Sequence, residues 1–162
     1  MKNGFLLALV FLFVFVISAP AANAQGGVRT GPDPSTIRDP DLERDSQHNL
    51  EVAKNYFRLK KAYVAALMRC EEIIAGNPNF ARIEEVLLMA GQSSLYLAVN
   101  KGKQKPEQYI SVEGGVKRTL TSEQFRALGQ LYLNKLINEH PDSPFAKQAK
   151  EELRLLDASA KQ

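Results

Sequence analysis

Cysteine, histidine, net charge and long apolar runs are all scarce in this chain of 162 residues, and each scarcity removes a class of function. With Cys70 as its one cysteine, the chain can form no internal disulfide. Cys70 falls inside an apolar helical stripe with Arg69 as its basic neighbour, a setting for a small hydrophobe rather than a reactive thiol. The two histidines, His48 and His140, have no spacing to other ligands that would build a metal site, and no cofactor is implied. The paired acids Glu71-Glu72, Glu84-Glu85 and Glu151-Glu152 are adjacent on helices; such neighbours point apart and read as solvated faces rather than a general acid and base. Gly91-Gln92-Ser93-Ser94-Leu95 superficially matches a nucleophile elbow, but the second glycine and the preceding strand are missing. No catalytic residue is assigned. A net charge of +3 is too small for a dedicated nucleic-acid binder, which concentrates its basic residues on one face.

The long apolar run that is present stands at the N-terminus. Lys2 precedes thirteen apolar residues, Phe5 to Ile17, fewer than the roughly 20 that cross a bilayer. Pro20 breaks the run, and Ala22-Asn23-Ala24 is a small-x-small cleavage site that would leave Gln25 as the new terminus. Residues 1–24 therefore read as an export signal, or as a membrane anchor if they are retained. No cysteine follows the run, so it is not a lipoprotein signal. Residues 25–45 carry Pro32, Pro34 and Pro40 among glycine and charge, and read as a flexible tether.

Residues 46–158 carry helical periodicity. Asp45 or Ser46 is placed to cap a first helix with Leu50, Ala53 and Phe57 on one face, and a basic turn leads to a second with Tyr63, Ala66, Leu67, Cys70, Ile73 and Ile74. Gly76-Asn77-Pro78 closes this hairpin. A two-helix unit of about 34 residues ending in proline, with a small residue such as Ala66 at the crossing, is the signature of a tetratricopeptide-type repeat. A third helix, Phe80 to about Asn100, places Ile83, Val86, Leu87, Ala90, Ser94, Leu95 and Ala98 on one stripe, with Gly91, Ser93 and Ser94 allowing close approach by a neighbour. A fourth starts with a capping box, Thr121 with Gln124, stapled by Leu120 and Phe125, and runs to His140-Pro141. Ser143 and Pro144 open a fifth, with Phe145, Ala149, Leu153 and Leu156 on its stripe, and 159–162 fray. Pro78 and Pro141 stand 63 residues apart. The excess over one repeat of about 34 matches an insertion at 101–120. The expected fold is all-α, a stack of about five helices in tetratricopeptide-like hairpins; a generic five-helix bundle is the alternative.

Within the insertion, Gly114-Gly115 lies between short β-prone runs and is either the turn of a small hairpin or the middle of a loop. Lys101, Lys103, Lys105, Lys117 and Arg118 make it the most basic part of the chain, and insertions into repeats gather on one face as partner sites.

The stretch NLEVAKNYFRLKKAYVAALMRCEEIIAGNP, with its Lys-Lys-x-Tyr-x-Ala-Ala core, resembles the opening repeat of the BamD-type outer-membrane assembly lipoproteins, and LYLNKLINEHPDSPFAKQAKEEL resembles the closing motif of those repeats. Pro-x-Ser-Pro is shared with other periplasmic tetratricopeptide proteins, including the cell-division coordinators. The chain departs from the family in lacking the lipid-bearing cysteine and in having room for about two and a half repeats. The resemblance implies an exported, periplasmic or outer-membrane-associated scaffold in a Gram-negative-type bacterium, binding a protein or peptide such as outer-membrane assembly components. An envelope or cell-division coordinator and a membrane-anchored adaptor are the alternatives. On the stacked helices Asn55, Tyr56, Gln92, Tyr96 and Asn100 are the expected groove residues. Lys101, Lys103, Lys105 and Arg118 form a second surface for acidic partners or an anionic envelope surface.

Overall fold

In the computed structural model, which describes residues 38–113 and 116–159, the chain enters its first helix earlier than its prolines suggest. Helix α1 spans Pro40–Lys54. The Asp39 carboxylate accepts from the backbone N–H groups of Asp41 at 2.8 Å and Leu42 at 3.4 Å, and Pro40 occupies the first turn, where its missing N–H costs nothing. The tether expected to reach residue 45 thus gives way to helix at Pro40, and Asp39, not Asp45 or Ser46, is the cap. Ser46 instead lies buried on the inner face of α1. The expected export signal and cleavage site Ala24-Gln25, most of the expected tether and residues 160–162 lie outside the described residues.

Past Lys54 the helix widens into a π-helical stretch, Asn55–Lys60, and stops at Lys61, whose φ of 50° is left-handed. The Tyr56 carbonyl accepts from both Lys61 and Ala62 N–H, closing the helix end. Helix α2, Tyr63–Gly76, returns alongside α1 and buries Tyr63, Val64, Ala66, Leu67, Cys70 and Ile73. The turn after it is tied back by Asn77, whose amide donates to Glu43 Oε1 and Ser46 Oγ, each at 3.1 Å. Helices α3, Ile83–Ala98, and α4, Ser122–Glu139, form the second hairpin, and α5, Ala146–Ser159, follows. The Thr121–Gln124 capping box is formed in both directions. Helix α5 begins two residues later than Pro144, because Ser143 first closes a turn: its carbonyl accepts from Ala146 N–H and its hydroxyl from Phe145 N–H.

Successive helices pack against each other, and alternate helices are also linked. Lys54 pairs with Glu85 at 3.0 Å and Arg82 donates to Gln47 at 3.1 Å, joining α1 to α3. Gln92 donates to Glu152 at 2.7 Å, joining α3 to α5. On the other side Tyr132 of α4 donates to Glu71 of α2 at 2.9 Å. The molecule is therefore an all-α stack of helical hairpins with α1, α3 and α5 on one face and α2 and α4 on the other.

The tightest junction is between α3 and α4. A Cβ on Gly91 would stand 2.6 Å from Leu133 Cδ2, and one on Gly129 would stand 2.7 Å from Leu95 Cδ2 and 3.1 Å from the Gly91 carbonyl. The two glycines face each other and let the backbones close. Leu133, Leu136, Phe125, Val86 and Leu87 are fully buried, each contributing roughly 1.5–3 kcal/mol of transfer free energy.

The insertion carries a two-stranded antiparallel hairpin, β1 (Ser111–Glu113) and β2 (Val116–Arg118), in the register Ser111↔Arg118, Val112↔Lys117, Glu113↔Val116. Two strands are marginal alone, and the segment leading into them is anchored to the stack. Lys103 N–H donates to the Lys61 carbonyl at 2.9 Å. Gln104 Oε1 accepts from Ala65 N–H at 3.0 Å, a remote cap for a helix whose own N-cap residue, Ala62, has no side-chain oxygen to offer. Tyr109 is buried edge-on to Phe125 and donates to Glu71.

Candidate groove on the odd-helix face

The odd-helix face has a groove along α3, between the π-helical stretch that follows α1 and the start of α5. Phe57 and Arg58, from the π-helical end of α1, form one wall; Leu88, Met89, Gln92 and Tyr96 of α3 run along it; Phe145 and Gln148 close the other side, with Glu85 among the lining residues. The space between them is about 250 Å³. Leu88 and Met89 are buried, so the lining combines an apolar base with Gln92, Gln148, Arg58 and Glu85 as polar and charged groups.

Each polar group is held in a definite state. Glu85 is neutralised by Lys54 and Arg82, leaving Arg58, which pairs with no carboxylate among the described residues, as the uncompensated charge of the groove. The Gln92 amide is buried and committed through Nε2 to Glu152, and its oxygen has no partner among the described residues. Tyr96 stands against Tyr63, with ring centroids 4.7 Å apart, and stacks on Phe57 at 5.8 Å. Burial, the Glu152 charge and Tyr63 push its phenol above its ordinary value, so it stays protonated as a donor. The groove can thus offer an amide oxygen, a phenol hydroxyl and a guanidinium around an apolar base.

Of the residues expected from the sequence, Gln92 and Tyr96 line this groove. Asn55 and Tyr56 do not. An i→i+5 turn takes up more residues than an α-turn, and the change of phase presents Phe57 and Arg58 in their place; Asn55 is exposed, and Tyr56 lies under the Lys60 ammonium at 4.8 Å. Asn100 has a structural task. With φ of 52° it ends α3 in a Schellman motif, in which Lys101 N–H reaches the Tyr96 carbonyl at 2.8 Å and Asn100 N–H that of Leu97 at 3.0 Å. Lys101, Lys103 and Lys105 are exposed, with Lys101 Nζ 4.1 Å over the Tyr96 ring, while Arg118 lies on β2 opposite Ser111. Leu88, Met89, Phe145 and Gln148 were missed. Leu88 and Met89 stand off the main stripe of α3, and a helix apolar on more than one face is one covered on more than one side.

A second polar cluster joins α3 to the α4–α5 turn. Ser143 Oγ donates to Glu84 Oε2 at 2.7 Å, and His140 Nδ1 lies 3.7 Å from Glu84 Oε1. Serine and histidine both address the carboxylate rather than each other, so the pair forms no Ser–His dyad. The cluster clamps a turn. Among the described residues no three His, Cys, Asp or Glu side chains are grouped to hold a metal ion, and no helix is long and apolar enough to cross a membrane. Comparison of the chain with protein-family models, curated proteins and solved structures finds no match.

Proposed function

We propose that the chain is an exported helical-repeat scaffold that holds an extended or helical segment of a protein partner in the odd-helix groove, in outer-membrane protein assembly or envelope maintenance. The observation that carries this reading is the groove itself. About 250 Å³ is enough for one or two anchoring side chains but not for a folded partner, and apolar anchors flanked by polar contacts are how helix-in-groove and extended peptides are recognised. Gln92 and Arg58 fix the orientation of the segment, Leu88 and Met89 receive its apolar side chain, and Tyr96 donates to its backbone. The envelope role rests on the BamD-type resemblance of residues 49–78 and 131–153.

A photo-crosslinking residue at Gln148, exposed beside the groove, tests the proposal in intact envelope against the same residue at Met68, exposed on α2. The expected result is a defined adduct with an outer-membrane assembly component from position 148 alone, lost on Tyr96→Ala. Identical adducts from both positions, or none from 148, would refute the groove as the binding site.

A further inference from the structure

The chain has two long stretches without an acidic residue, 52–70 and 86–106, which carry Arg58, Lys60 and Lys61 in one and Lys101, Lys103 and Lys105 in the other. Far apart in sequence, they meet at one end of the stack. Lys103 N–H bonds to the Lys61 carbonyl. Gly102, with φ of 107°, lies so close to Tyr63 that a Cβ there would be 2.6 Å from its ring. Tyr96, which carries Lys101 over its face, stacks on Phe57 beside Arg58. Six cations therefore share one end of the helical stack.

None of the six pairs with a carboxylate among the described residues, and neither do Arg38, Lys117, Arg118, Arg126, Lys147 and Lys150, whereas Arg44, Lys54, Arg69, Arg82, Lys135 and Arg154 do; what sets the six apart is that they gather where the two stretches meet. Like charges so gathered repel, and two are partly offset by ring faces, Lys60 over Tyr56 and Lys101 over Tyr96. The same end exposes two aliphatic side chains, Leu59 at 76% and Val99 at 61%, each beside the cations in sequence.

We infer that this end docks on an anionic phospholipid surface. A bilayer interface supplies both what the cations lack and what Leu59 and Val99 lack: a plane of phosphate charge, and a shallow apolar layer beneath it. A single bound phosphate would engage a few of the cations and leave the others, and both aliphatic tips, unanswered. An acidic peptide would answer the charges and leave the two aliphatic tips in water. This surface adjoins the proposed peptide site at Arg58 and Tyr96, but Lys60, Lys61, Lys101, Lys103 and Lys105 are not among the groove's lining residues, so the inference stands whether or not the groove binds a peptide.

The test is flotation of the full chain with vesicles of phosphatidylcholine alone and of phosphatidylcholine mixed with phosphatidylglycerol. Every variant carries the same N-terminal apolar run, so differences between variants isolate the basic end. The triple variant Lys60→Gln, Lys103→Gln, Lys105→Gln is expected to bind the mixed vesicles roughly a hundredfold more weakly than wild type, from about a fivefold loss per cation. Leu59→Ser is expected to lose about tenfold while keeping the salt dependence of wild type. All the substituted side chains are exposed, and circular dichroism checks that each variant is folded. Equal flotation of wild type and triple variant, or no preference of wild type for the mixed vesicles, would overturn the inference. So would charge-dependent binding to polyglutamate with no flotation, which would assign the surface to an acidic protein.

Discussion

Replacing Gly91 and Gly76 by alanine, one at a time, applies the same chemical change to two helices and should move stability in opposite directions. In both, alanine removes the backbone freedom of glycine in the unfolded chain and favours the helix by up to about 1 kcal/mol. At Gly76, the last residue of α2, a Cβ meets nothing within 4 Å, so most of that gain is kept. At Gly91 the Cβ would be 2.6 Å from Leu133 Cδ2 and 2.7 Å from its Cγ, with the Gly129 carbonyl at 3.3 Å. Leu133 is fully buried and cannot swing into solvent, so its Cγ moves only by a change of χ1 rotamer inside the packed core or by a shift of α4. Overpacking of this kind costs about 1–3 kcal/mol; with the branch carbon itself struck, the upper part of that range applies. The net expectation for Gly91→Ala is a loss of roughly 2 kcal/mol, against a gain of about 0.5–1 kcal/mol for Gly76→Ala. Urea unfolding followed by far-ultraviolet circular dichroism resolves both. A Gly91→Ala protein as stable as wild type would refute the close α3–α4 crossing and with it the stack as described.

Three further outcomes follow from the polar and thiol groups. Tyr109→Phe removes a hydroxyl that donates to both Glu71 oxygens, at 2.8 and 2.9 Å, and should cost about 1.5–3 kcal/mol, as expected for a bond to a charged acceptor; limited proteolysis should then cut the insertion first, and an unchanged urea midpoint would show that the insertion is not anchored there. Burial together with the neighbouring Glu71 carboxylate raises the phenols of Tyr109 and Tyr132 above their ordinary 10.0, so the folded state holds protons that the unfolded state releases. Their contribution is complete below pH 10 and is lost as pH rises towards the folded values; the melting temperature should fall above pH 10 in wild type and less steeply in the Tyr109→Phe, Tyr132→Phe double variant, and parallel pH curves would contradict this. Cys70 is fully buried, and desolvation with the nearby Glu71 and Glu85 charges pushes its thiol up, so iodoacetamide should label it only at the rate of unfolding; rapid labelling of the native protein would sink that account.

Much of the stack was legible from local signals. Apolar periodicity located the helices because each buries one stripe against its neighbours, and the Thr121–Gln124 box marked a helix start because its bonds lie within one turn. Where two local rules competed, the reading slipped. Pro40 carries a breaker signal, yet with Asp39 before it the same proline is a first-turn residue. Asn100 was read as a groove residue because polarity on a helix suggests contact; its left-handed φ makes it a terminator. The phase at residues 55–58 was not readable from an α-helical period, because the chain there follows π-helical geometry.

The sequence by itself determined the helices, the glycine-bearing faces where they cross and the place of the insertion, since these depend on residues within a few turns of one another. Only the tertiary structure decided which distant side chains meet on its surface. Gln104 capping α2 across 39 residues, Glu71 receiving tyrosines from the insertion and from α4, and two acid-free basic stretches meeting at one end are products of how the helices pack. Such juxtapositions leave no periodic trace along the chain, because the energy that fixes them comes from contacts between segments rather than within them.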